Sequence, residues 1–205
     1  MVAPEPPVVV PVYFDYASSL CFIAWRIAER LETQLDVVMR WRPLPLTAQY
    51  PAWRPGARLP PEVCARVARV AKETEVALRI PPRWLDSRAA LEGAIFAEAQ
   101  GRGRAYHEAI FRAVYEDGAD LGDPAVLRCA ASAAGLAAEA FDGWLAGGRG
   151  AGTLAMLLRE ARELGIVGYP TFLLGEFPLT GIQPYDTMRL LLARHIVRSR
   201  ERSDG

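Results

Sequence analysis

Residues 8–30, VVVPVYFDYASSLCFIAWRIAER, decide how the rest of the chain is read. A run rich in β-branched and aromatic residues, Val8 to Phe14, breaks at Asp15-Tyr16-Ala17. The apolar residues that follow, Leu20, Ile23, Ala24, Ile27 and Leu31, recur at spacings of three and four. The pattern predicts a strand, a short loop and a helix. In an α/β fold this crossing favours ligands, because the first-turn N–H groups have no intrahelical acceptor and the helix dipole attracts negative charge. Ser18, Ser19 and Cys21 fall at the helix start, so a hydroxyl and a thiol are both candidates for chemistry.

Just downstream, residues 35–46, LDVVMRWRPLPL, alternate in the manner of a second strand. Strand, helix and strand at this spacing make a βαβ unit with parallel strands. The proline-rich residues 47–61, TAQYPAWRPGARLPP, form a loop in which Tyr50 and Trp53 either wall a pocket or pin the loop to the core. Helical patterns then succeed one another over residues 63–78, 87–100, 104–115, 124–134, 138–145 and 153–164. They are separated by breaks such as Ile80-Pro81-Pro82, Asp117-Gly118 and Gly147-Gly148-Arg149-Gly150. Asp123-Pro124 reads as an N-cap with proline at the first helical position.

Strands return near the end. Residues 171–174 and 177–180, joined at Gly175-Glu176, read as a hairpin entered through Tyr169-Pro170. Gly181-Ile182-Gln183-Pro184 then opens a last helix, 185–197, followed by a polar tail expected to be frayed. With the helical block removed, the order is βαβ followed by ββα, that of a thioredoxin fold. The expected division is a discontinuous thioredoxin-like domain over 8–60 and 150–198, an all-helical insertion over 61–149 and a disordered tail over 199–205. A proline at the start of a strand is tolerated, and a cis bond at Tyr169-Pro170 is expected to turn the Tyr169 backbone outward, toward an extended peptide.

Composition narrows the function classes. The chain has 205 residues, 51% apolar and 23% charged, with 24 acidic and 24 basic residues. That balance leaves no overall field to draw it to nucleic acid or an anionic membrane. The first apolar run has no basic residue before it and is broken by proline, which reads as neither signal nor membrane segment and makes a cytoplasmic location the expectation. The three cysteines, Cys21, Cys64 and Cys129, are too widely spaced for a zinc site or a disulfide framework, so no metal is expected. Cys64 and Cys129 sit on helical patterns and read as small buried hydrophobes.

The segments FDYASSLCF (14–22), WRPLPL (41–46), YHEAIF (106–111), LGIVGYPTF (164–172) and GIQP (181–184) together resemble the DsbA-like branch of the thioredoxin superfamily. Within it, they are most similar to the kappa-class glutathione transferases and 2-hydroxychromene-2-carboxylate isomerases. Redox members carry Cys-x-x-Cys at the helix start, where the first thiol attacks; this chain has Ser18-Ser19-Leu20-Cys21, which removes a dithiol cycle. The resemblance implies a glutathione- or other thiol-dependent transferase or isomerase, in which the Ser18 hydroxyl donates a hydrogen bond to the cofactor's thiolate. Ser19, Tyr169, Pro170 and Gln183 would then surround that cofactor.

The partner implied is a small electrophile or an isomerisable substrate, and members of the group are often homodimers. The chain departs from the kappa pattern in two places. The loop over 47–61 has Arg54 and Arg58 but no lysine, and Gln183 stands where an acid would meet the γ-glutamyl amine. Alternatives are a monothiol oxidoreductase using Cys21 and a non-catalytic binding module. Ser18 also suits a plain N-cap, Cys21 a buried side chain, Asp15 a turn cap, and His107 a packed helical position rather than a base. Tyr16, Tyr50, Trp53 and Trp84 are the candidates for the substrate wall.

Overall fold

The structure, a computed structural model, describes residues 5–45, 47, 50 and 52–203. Its elements run β1 (Val8–Phe14), α1 (Ser19–Glu32), β2 (Val37–Pro43), α2 (Pro61–Thr74), α3 (Arg88–Ala99), α4 (Gly103–Tyr115), α5 (Pro124–Ala133), α6 (Ala138–Ala146), α7 (Ala151–Glu163), β3 (Thr171–Leu174), β4 (Phe177–Thr180) and α8 (Tyr185–Ser203). The four strands form one mixed sheet in the order β2-β1-β3-β4. β1 pairs parallel with β2 along its whole length, Val8 opposite Val37 through Phe14 opposite Pro43. On its other side it pairs antiparallel with β3 at Val12 and Tyr13 only. Its second half, where both side-chain faces are covered, is buried without alternation at Val12, Tyr13 and Phe14, which matches its unbroken apolar run. Pro11 fits because β3 makes no pair with it, so no ladder donor is missing on that side.

The helical block between β2 and β3 shares one core with the sheet. Phe111 and Tyr115 of α4 pack on Phe22 of α1, and Phe111 also meets Phe14 of β1 and Trp41 of β2. α7 is held to the sheet by Glu160, which accepts from the Tyr13 hydroxyl at 2.8 Å and pairs with Arg42. Asp123 caps α5 as its sequence requires, accepting from the Ala125 N–H at 2.8 Å with Pro124 behind it.

Three local readings need correction. α2 begins at Pro61 and stops at Thr74 rather than running to residue 78. Glu75 adopts a left-handed conformation (φ 57°) that ends the helix, and the chain then leads away to Pro81-Pro82. α8 continues through Ser203, past residue 197, where Arg200 pairs with Glu5 at 2.7 Å and with Asp36; the tail's last residues, 204–205, lie outside those described. Cys129 is exposed on α5, which turns Leu127, Ala130 and Ala131 inward instead, and Cys64 is only half-buried on α2. Among the described residues no helix is long and apolar enough to cross a membrane.

Candidate functional site

β1 delivers Asp15 to the foot of α1. The Asp15 carboxylate is fully buried; it accepts from the Ala17 N–H at 2.8 Å, while the Asp15 carbonyl accepts from the Ser18 N–H at 3.0 Å. This tight turn presents Ser18 in an extended conformation at the N-cap. The carbonyl of Ser18 starts the helix by accepting from Cys21 and Phe22, yet its hydroxyl makes no capping bond. The side chain is therefore not explained as a cap. Cys21, one turn in, has no exposed surface, and burial pushes its thiol up to about 12 against the weaker opposing pull of the Ser18 hydroxyl and the Asp15 backbone. A thiol kept protonated and out of contact with solvent is poorly placed to attack a substrate unaided.

Opposite the helix start, the loop before β3 is pinned from both ends. Thr171 Oγ1 donates to the Gly168 carbonyl at 2.7 Å and shares a hydrogen bond with Thr180 Oγ1 at 2.9 Å; the Gly181 N–H donates to the Pro170 carbonyl at 2.7 Å. Gly168 is required by the closeness of β4, since a Cβ there would meet Thr180 Cγ2 at 2.7 Å. The Tyr169–Pro170 peptide bond is cis.

Between helix start and loop lies a cavity of about 270 Å³. Its floor is Ala17 to Leu20, one wall is Val167 to Tyr169 with Thr180 and Gly181, and another is Val63, Arg66 and Val67 of α2. The third wall is a ring stack: Tyr50 on Trp53 at 4.4 Å and Trp53 on Trp84 at 4.1 Å, each pair within 17° of parallel. Tyr50 reaches across to donate from its hydroxyl to the Val167 carbonyl at 2.9 Å. Of the pocket and pinning roles left open for the loop aromatics, both are filled by the same residues.

The cavity brings together Ser18, Ser19 and Tyr169; Cys21, Pro170 and Gln183 do not line it. Pro170 is buried behind its hydrogen bond to Gly181, and Gln183 lies half-buried in the turn before α8. Tyr16 is no part of the wall either. It is fully buried, with its hydroxyl 2.6 Å from His107 Nδ1 and its carbonyl accepting from Tyr115 Oη at 2.7 Å. Arg54 and Arg58 point to solvent, and the one charged lining residue among those described is Arg66. The sequence reading missed it, although Val63, Arg66 and Val67 at spacings of three and four mark a shared helix face.

The site stands beside known folds. A model of the DSBA-like thioredoxin domain matches residues 9–193. The chain belongs to that family. It is 24% identical over 185 residues to the uncharacterized protein YwbO of Bacillus subtilis (strain 168), a match spanning 84% of this chain and 89% of that one. In structure it resembles a 2-hydroxychromene-2-carboxylate isomerase (TM-score 0.77, 20% identity, 96% of this chain and 98% of that one). It also resembles a probable DsbA oxidoreductase from Streptomyces coelicolor (0.73, 22%, 91% and 89%). A third likeness is the cytosolic disulfide reductase DsbM from Pseudomonas aeruginosa, solved with GSH (0.66, 20%, 91% and 98%). At these identities the structural likeness establishes the fold, and the chemistry has to be argued from this chain's own residues. Among the described residues no group of three His, Cys, Asp or Glu side chains could hold a metal ion.

His107 is packed among Phe14, Trp25 and Trp41, away from the cavity, and burial lowers its pKa from 6.5 to about 3, with Arg104 adding to the shift. It is therefore neutral when folded. Because the folded pKa lies below the unfolded one, the stability conferred above pH 6.5 is lost as pH falls from 6.5 toward 3. The expected slope in that window is up to about 1.4 kcal/mol per pH unit. Thermal melts across this range should show the loss in wild type and a flatter profile in His107→Gln; parallel profiles would refute it.

Proposed function

We propose that this protein is a thiol-dependent transferase or isomerase that borrows its reactive sulfur from a low-molecular-weight thiol such as glutathione, with Ser18 holding that sulfur as a thiolate. The observation that carries the reading is the Ser18 hydroxyl: it stands at the start of α1, lines the cavity and makes no capping bond, and the family resemblance puts the attacking thiol of redox members at this place. A hydroxyl donor beside the unpaired N–H groups of a helix start stabilises the anionic form of a bound thiol. When bound, such a thiol supplies the nucleophile for an electrophilic substrate. The chain's contribution is to bind it, orient its sulfur and keep water off one face with the Tyr50–Trp53–Trp84 wall.

The buried, protonated Cys21 weighs against the monothiol oxidoreductase alternative. Titrating the purified protein with glutathione, while following ultraviolet thiolate absorbance, tests the proposal. Saturable growth of the thiolate signal is expected, weakened roughly 10- to 100-fold in Ser18→Ala, the loss of one charge-assisted hydrogen bond. Absence of binding by glutathione and by smaller thiols alike would leave a non-catalytic binding module as the surviving reading.

A further inference from the structure

Glutathione carries a thiol, two carboxylates and an ammonium, and the cavity does not match that set. Arg66 is the one charged residue among those described in its wall; no carboxylate lines it, and Gln183, which stands where the resemblance would put an acid for the amine, does not line it. The Asp15 carboxylate is buried beneath the floor, within the turn that holds Ala17. An ammonium entering the cavity therefore meets no carboxylate in its lining, the Asp15 charge lying beneath the floor, and it meets a guanidinium in the wall instead. Size points the same way. About 270 Å³ falls below the roughly 300–1,000 Å³ in which drug-sized ligands are usually enclosed.

We infer that the cavity is selective for a small thiol bearing a carboxylate and no amine, a mercaptocarboxylate, whose sulfur meets Ser18 and whose carboxylate pairs with Arg66. The inference rests on the thiol-dependent reading above and adds the charge of the ligand to it. Arg66 is placed for this role by α2, where it shares a cavity-lining face with Val63 and Val67 and is itself solvent-exposed. Among the described residues it forms no ion pair, so its planar donor fork is available to a carboxylate. On binding, the thiol's proton leaves to solvent and no bond to the protein is formed.

The test uses two thiols of similar length and opposite charge, 3-mercaptopropionate and cysteamine, with glutathione as the zwitterionic third. Each is titrated into the full-length protein and into Arg66→Ala and Arg66→Lys, with thiolate absorbance and heat as readouts. Wild type should prefer 3-mercaptopropionate over cysteamine by about tenfold and over glutathione as well, the preference resting on one solvent-exposed charge pair. Arg66→Ala should erase that preference while leaving cysteamine binding unchanged or improved, and Arg66→Lys should restore part of it. Equal binding of the two small thiols, tighter binding of glutathione, or a preference that survives Arg66→Ala would overturn the inference while the thiol-dependent reading stood. If no thiol bound wild type, both would fall together.

Discussion

Ser18→Cys is expected to convert a site without a dithiol into a redox-active one. The substitution puts a sulfur where the hydroxyl now sits, three residues before Cys21 and one turn away on the same helix face. Cβ atoms so spaced on a helix lie about 5–6 Å apart, which small backbone adjustment at the first turn brings into disulfide range. The Ser18 hydroxyl is already a polar neighbour of the Cys21 sulfur. The new thiol would gain the helix-start environment that lowers thiol pKa values, whereas Cys21, buried, would serve as the resolving partner.

Oxidised glutathione supplies the oxidant, accepting two electrons as it is cleaved to two thiols. After this treatment, thiol counting under denaturing conditions should find two free thiols in the variant, while wild type retains its three. The reduced variant should catalyse disulfide reduction in a protein substrate, and adding Cys21→Ala should remove that activity. A variant that keeps all four thiols free would show that the helix start does not hold the two positions in bonding geometry. Wild-type activity in the same assay would contradict the burial of Cys21.

How much of this was legible beforehand follows from which interactions are local. The strand, turn and helix over 8–30 and the hairpin over 171–180 were readable because alternation, a turn dipeptide and helical spacing are properties of consecutive residues. The place of Ser18 at the start of α1 was readable for the same reason. Arg66 was not: the spacing marks its helix face, but that this face lines the cavity depends on how α2 docks beside α1, which no run of consecutive residues records.

Tyr16 erred in the opposite direction. Its neighbours Asp15 and Ala17 belong to the site, but the turn sends its ring inward to His107, a choice made by a helix some ninety residues downstream. The end of α8 was misjudged because its anchor, Arg200 on Glu5 and Asp36, joins opposite ends of the chain.

That inward turn gives the fold its most consequential side chain, Phe111. The ring has no exposed surface and meets Phe14 (6.0 Å), Tyr16 (5.0 Å), Phe22 (6.0 Å), Trp25 (5.7 Å), Trp41 (6.2 Å) and Tyr115 (6.3 Å). It thus ties the helical block to β1, α1 and β2 at one point. Phe111→Ala opens a cavity among rings that have little freedom to collapse into it, at an expected cost of about 3–5 kcal/mol. Against a total stability of roughly 5–15 kcal/mol, that is a large share. For a chain of this length it corresponds to a fall in melting temperature of about 6–20 °C.

Phe141→Ala is the informative control. Phe141 is equally buried, but packs on Phe96 and Tyr106, one ring removed from Tyr16, which Phe111 meets directly. Both variants should lose stability. Only Phe111→Ala should also weaken thiol binding at temperatures where it remains folded, because Phe111 packs against Tyr115, whose hydroxyl holds the Tyr16 carbonyl in the turn that presents Ser18. Equal thiol affinity in the two variants would show that the turn at Asp15–Ser18 holds its shape by its own hydrogen bonds, independently of the aromatic cluster beneath it.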